Sequence, residues 1–167
     1  MDKPLELTLV KKYPIIFKEY GGDMRETCMA WGMECGNGWF ELLDDMCHDV
    51  THLIGDQDVK LIAHQVKEKF GGLRFYHAIL KETTWFDKIS CKIRNFMFNR
   101  KWGVAYWKII DFRKKFYTTI SEQISDIIDI AEVKSYATCE ICGNPGEVRS
   151  GGWIKTLCDP CEEKRSE

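Results

Sequence analysis

Cys139, Cys142, Cys158 and Cys161 form two C-x2-C pairs with fifteen residues between them, the spacing at which four thiolates close on one tetrahedral zinc ion. No other feature of the chain restricts its fold as tightly. A C-x2-C turn aims two sulfurs at one point, and Gly143, directly after the first pair, can take the positive φ that a tight turn around a metal requires. Between the pairs, residues 146–157 read as two short β-prone runs broken at Gly151-Gly152, as in a hairpin. The tail is therefore expected to be a zinc ribbon. Two disulfides are the alternative, but Met1-Asp2-Lys3-Pro4-Leu5-Glu6 lacks the basic start and apolar core of an export signal, which favours reduced, metal-bound thiols. Four thiolates leave no open coordination position, so this zinc is expected to fold the tail and not to catalyse.

A chain of 167 residues with 44% hydrophobic content is long enough for one cored domain and a small appendage. The formal net charge of −2 argues against uniform coating of a polyanion and leaves room for a local basic patch. No run of ~18 apolar residues offers a membrane span, and a cytoplasmic location is expected. Cys28, Cys35, Cys47 and Cys91 have no zinc-type pairing and read as reduced thiols, several of them buried.

Residues 2–20 carry scattered aliphatics with Pro14 among them and predict one or two short helices. The glycine-punctuated stretch 21–37 reads as a loop or short helix folded back through Met24, Met29, Trp31 and Met33. Trp39, Leu42, Leu43, Met46, Val50 and Leu53 then recur at helical spacing, with Glu41, Asp45, His48, Asp49 and His52 opposite, so an amphipathic helix is predicted up to Gly55-Asp56. Val59 to Leu80 reads as a β-hairpin broken at Phe70-Gly71-Gly72, with Leu73, Phe75 and His77 on one face of the return strand. Residues 85–117 hold nine Lys or Arg against Asp87 and Asp111, a local balance of +7, together with ten of the twenty-one aromatics. Two helices broken near Lys101-Trp102-Gly103 are predicted there, followed by a helical stripe through Ile120, Ile124, Ile127, Ile128 and Ala131.

Three segments carry a resemblance: Cys35-Gly36-Asn37-Gly38-Trp39, the run from Gln65 to Tyr76, and the stretch from Cys139 through Cys161 with Arg149 and Gly152-Trp153 inside it. Together they resemble a family of small, mostly uncharacterised proteins encoded by bacteriophages and prophages. The resemblance covers well under half the chain and implies a phage or prophage origin, without implying an activity. Against the compact pattern of that family, the basic aromatic stretch looks like an insertion.

The expected fold is α+β: a body over residues 1–135 with a helical core and one β-hairpin, a basic aromatic helical insertion at about 82–117, and a zinc ribbon over 136–167. Lys67, Lys69 and Arg74 surround the glycine pair of the hairpin, where donors could converge on a phosphate. An ordinary hairpin with solvated lysines is the plain alternative. Arg149 adds a cation on the ribbon, and Trp39 and Trp153 add rings able to stack on a base; packing between ribbon and body explains them equally well.

The expected function is non-catalytic binding of a phosphate-bearing ligand, nucleic acid or nucleotide, including sequestration of a nucleotide signal of host antiviral defence. A second class is a binder of a host protein that uses the aromatic insertion. A third is a metal-dependent hydrolase using His48 and His52, which resemble an H-E-x-x-H helix with Asp49 in place of Glu but lack a third ligand at a diagnostic distance. A solvated helix face explains those histidines without a metal. Among thiols, only Cys35 lies at a turn where a nucleophile could sit, and a buried structural role fits it better.

Overall fold

The computed structural model describes residues 1–81 and 119–166, and the expected basic aromatic insertion, with Cys91, lies outside them. Helix α1 (Lys3–Lys12) has Pro4 in its first turn, where no intrahelical N–H is lost, and Lys11 and Lys12 in its last, where they complement the helix dipole. Helix α2 (Phe40–Ile54) follows a short 3-10 turn over Asn37–Trp39 and buries Leu43, Met46, Cys47 and Val50. Its stripe matches the one read from spacing. Helix α3 (Ile120–Ser135) opens on a capping box in which Thr119 and Glu122 satisfy each other's backbone N–H groups, and it buries Ile124, Ile128 and Ala131.

The main sheet has the order β1 (Met33–Glu34), β2 (Val59–Lys69), β3 (Gly72–Lys81). Strands β2 and β3 form the expected antiparallel hairpin, with Val66 opposite Phe75, Lys67 opposite Arg74 and Lys69 opposite Gly72. A register shift between Ala63 and Gln65 keeps Leu61, Ala63 and Val66 buried on the same side as Leu73 and Phe75. Helix α3 packs on β3 and on α2, so the core lies between sheet and helices, with Trp39, Phe17, Leu9, Met29 and Met33 almost fully buried in it. The free edge of β3 is covered by side chains of α3. Leu73 N–H donates to Ser135 Oγ (2.8 Å) and Phe75 N–H to Glu132 Oε1 (2.8 Å), which blocks further strand addition at that point.

The segment between α1 and β1 is held by a buried carboxylate. Glu6, 5% exposed, accepts Met33 N–H at 2.7 Å and the Tyr20 hydroxyl. Removing it would strand a buried amide donor. Glu6→Ala is expected to lower the unfolding free energy by about 2–3 kcal/mol in a urea titration, and Glu6→Gln, which keeps an acceptor, by less.

The C-terminal unit is a two-stranded antiparallel sheet of β4 (Glu147–Arg149) and β5 (Lys155–Leu157), followed by helix α4 (Asp159–Ser166). The chain as described is a mixed α+β fold with four helices and two small sheets. Among the described residues no helix is long and apolar enough to cross a membrane.

Candidate metal centre and the adjoining hairpin surface

The four predicted cysteines converge. Their Sγ atoms all lie within 4.8 Å of one another, and Cys142 Sγ stands 3.6 Å from Cys158 Sγ. That is far beyond the ~2.05 Å of a disulfide and close to the ~3.8 Å edge of a sulfur tetrahedron with metal bonds of ~2.3 Å. Gly143 takes the expected left-handed φ of 79°, and its N–H donates back to Cys139 O at 2.9 Å to close the first turn. The chemistry of the donors agrees. Burial works against a charged Cys139, but the N–H groups of Cys158, Cys142 and Ile141 more than offset it and lower the thiol to about 7. The sulfur of Cys158, burial, and then Cys142 and Cys139 push Cys161 up to about 12. Four sulfurs this close would repel one another as thiolates without a cation among them, and the site is compatible with a zinc ribbon and a structural metal.

The first cysteine turn is clamped to the body by the loop before α2. Gly38 N–H donates to Glu140 O (2.8 Å), Gly36 N–H to Glu140 Oε1 (3.0 Å) and the Trp39 indole N–H to Thr138 O (2.8 Å). A Cβ on Gly36 would come closer than 3.0 Å to Glu140 O, and one on Gly38 closer than 3.0 Å to Cys139 O and Gly143 N. The backbones therefore touch at these two glycines. The hairpin makes a second clamp, because Thr156 Oγ1 donates to Gly71 O at 2.6 Å and a Cβ on Gly72 would collide with the Tyr136 ring. Glu140, inside the first C-x2-C, was not singled out by sequence. It is 4% exposed, accepts from Gly36 and pairs with Lys155 Nζ at 2.8 Å. Only its place between two metal ligands could have marked it.

These clamps correct three expected ligand residues. Trp39 is fully buried and its indole N–H is occupied, so it packs under the cysteine unit and offers no face for stacking. Arg74 donates to Tyr136 Oη (2.7 Å), Leu73 O (2.7 Å) and Glu132 Oε2 (3.3 Å). Burial works against its charge, and Tyr136 and Glu132 more than offset it. Its fork joins hairpin to α3, and the carboxylate beside it opposes a phosphate. Arg149 donates to Leu157 O (3.2 Å) and Asp159, linking β4, β5 and α4.

Lys67 and Lys69 are different. They lie on the same face of β2, each ammonium over a ring: Lys67 Nζ is 5.2 Å from the centre of Tyr76, and Lys69 Nζ 5.5 Å from that of Phe70. Among the described residues no carboxylate lies within 4.0 Å of either. Trp153 is 70% exposed, with its indole N–H on Glu68 Oε2 at 3.2 Å. Phe70, at the hairpin tip, is also exposed and has a left-handed φ of 53°.

His48 and His52 stack at 6.4 Å on the exposed face of α2. Among the described residues, the only group of three or more His, Cys, Asp or Glu side chains placed to share an ion is the cysteine quartet, so the helix lacks a third ligand there. Burial pushes the Cys35 thiol up to about 12 and that of Cys47 higher than its ordinary value, which removes both as nucleophiles. No protein-family model, no curated protein and no solved structure matches this chain.

Proposed function

We propose that the protein is a non-catalytic binding protein, clamped by a C-terminal zinc ribbon, that takes a phosphate-bearing ligand, nucleic acid or nucleotide, on the outer face of its β2–β3 hairpin. The observation that carries this is the pair Lys67 and Lys69, two cations that make no ion pair among the described residues, although Glu34 stands beside Lys67 on β1, spaced at alternate positions of one strand and each poised over a ring. Arginines in the neighbourhood hold the fold together, and these lysines are left to meet an anion. Cation and ring side by side suit a ligand with charged and flat parts. Zinc is the metal proposed because a four-sulfur tetrahedral donor set selects it or an iron–sulfur centre, and the two-knuckle hairpin frame is that of a structural zinc site.

The resemblance to phage and prophage proteins supports a setting in which the ligand belongs to the host, such as a nucleotide signal of antiviral defence. The protein-binding alternative used the aromatic insertion, which lies outside the described residues, and the hydrolase alternative, which lacked a third ligand in the sequence, gains none among the described residues.

The test is binding of a fluorescein-labelled oligothymidylate of about fifteen nucleotides and of mononucleotides, by anisotropy and calorimetry, with wild type and the double variant Lys67→Ala/Lys69→Ala. For the oligonucleotide, the double variant should weaken binding and reduce the slope of log K against log salt by about 1.4, roughly 0.7 for each lost cation. Binding in the double variant equal to that of wild type would sink the proposal.

A further inference from the structure

We infer, resting on the phosphate-ligand reading above, that the ligand is a single-stranded nucleic acid whose bases stack on Phe70 and Trp153 at the junction of hairpin and ribbon.

The first observation is the turn itself. Lys69 pairs with Gly72, so Phe70 and Gly71 are the two central residues, with φ of 53° and 78°. That is a two-residue turn of the primed type, whose first central position belongs to Asn, Asp or Gly. A phenylalanine there carries backbone strain, and bulky residues adopt this conformation as outliers. Burial of the ring does not offset the strain, because Phe70 is 67% exposed. Strain that the fold does not use is commonly held at binding sites.

The second observation is that Trp153, although exposed, is fixed. Its indole N–H is on Glu68 Oε2 and its carbonyl accepts from Arg165 Nη1 at 3.1 Å. The other oxygen of Glu68 accepts Gly71 N–H at 2.7 Å. One carboxylate therefore holds both the backbone of the strained turn and the tryptophan, and fixes the indole near that turn before any ligand arrives. Preorganisation of this kind lowers the cost of binding.

The third observation separates a strand from a single nucleotide. The recess beside Trp153 is lined by Glu34, Glu68 and Glu140 against Lys155 and the N-terminal residue Met1, with Lys155 already paired to Glu140, a setting that does not favour phosphates. What remains is open surface around the hairpin tip: Tyr76 with Lys67 and Lys69 with Phe70 on the outer face, and the exposed Trp153 on Glu68, whose side chain belongs to the opposite face of β2. A mononucleotide is normally held in an enclosed cleft, whereas exposed rings and cations spread over both faces of a hairpin tip fit a polymer that alternates bases and phosphates. A duplex hides the base faces that these rings would meet.

The experiment compares the labelled oligothymidylate, its duplex and ATP on wild type, Phe70→Asn and Trp153→Ala. Wild type should bind the single strand more tightly than the duplex, and each variant should weaken that binding by roughly 5- to 150-fold. Phe70→Asn puts a preferred residue in the turn, so its melting temperature should equal or exceed that of wild type, which separates lost stacking from lost fold. Unchanged single-strand affinity in both variants overturns the inference, as does binding of ATP alone. In either case the phosphate-ligand proposal survives if the Lys67/Lys69 double variant loses what is bound. Absence of binding to all three probes overturns both.

Discussion

Removing the metal is expected to unfold the C-terminal unit and to strip the body of one wall. The buried residues of that unit are Cys139, Leu157, Cys158 and Cys161 as its apolar cluster, with Glu140 and Thr156 beside them. One leucine and three thiols do not make a core, so beyond its clamps to the body the unit is expected to draw its cohesion from coordination. Structural zinc in small fingers contributes on the order of 10 kcal/mol or more at neutral pH, well above what any single core side chain supplies. Elemental analysis should give one zinc per chain. EDTA should lower the melting temperature and abolish the near-ultraviolet signal of Trp39, whose N–H partner Thr138 lies directly before Cys139. Zinc should restore both, and magnesium, which prefers oxygen donors, should not. Because the ligands must be deprotonated, affinity should fall as pH is lowered, so zinc release belongs to the acid side. A metal-free chain with the same melting temperature, or a mass showing disulfides, would refute the clamp.

Local patterns carried much of the fold. The apolar stripe from Trp39 to Leu53 identified α2 because one helix face needs nothing beyond its own spacing, and the cysteine spacing brought four sulfurs together for the same reason. What was not legible depends on partners far along the chain. Strand β1 is two residues long and exists through its pairing with Val66 and Lys67. Arg74 beside two glycines looked like an anion fork, yet its partners Glu132 and Tyr136 arrive about sixty residues later. The Phe-Gly-Gly string announced a turn without saying which two residues were central. A centre on the glycines would have cost little, and the register that pairs Lys69 with Gly72 moves it onto Phe70. Gly36 and Gly38 carried the resemblance without a stated reason, and the fold supplies one in the backbone of the cysteine turn.

That contact leads to the second large effect. Gly38→Ala is expected to cost about 4 kcal/mol or more, because the added methyl meets Cys139 O and Gly143 N, both main-chain atoms that no change of rotamer can move. Gly36→Ala meets Glu140 O in the same way. To admit either methyl, the cysteine turn has to lift from the body, and the bonds from Gly36, Gly38 and Trp39 then lengthen together. The ligands themselves all belong to the C-terminal unit, so zinc should stay bound at one per chain while the urea midpoint falls and Trp39 fluorescence shifts to the red. Asn37→Ala is the control from the same loop: its amide contacts are with Asp2 at the surface, and its loss should cost about 1 kcal/mol or less. If Gly38→Ala matched Asn37→Ala in stability, the turn would not be seated on the glycine loop, and the shared rigidity of hairpin and ribbon, on which the bond from Trp153 to Glu68 of the hairpin depends, would be lost with it.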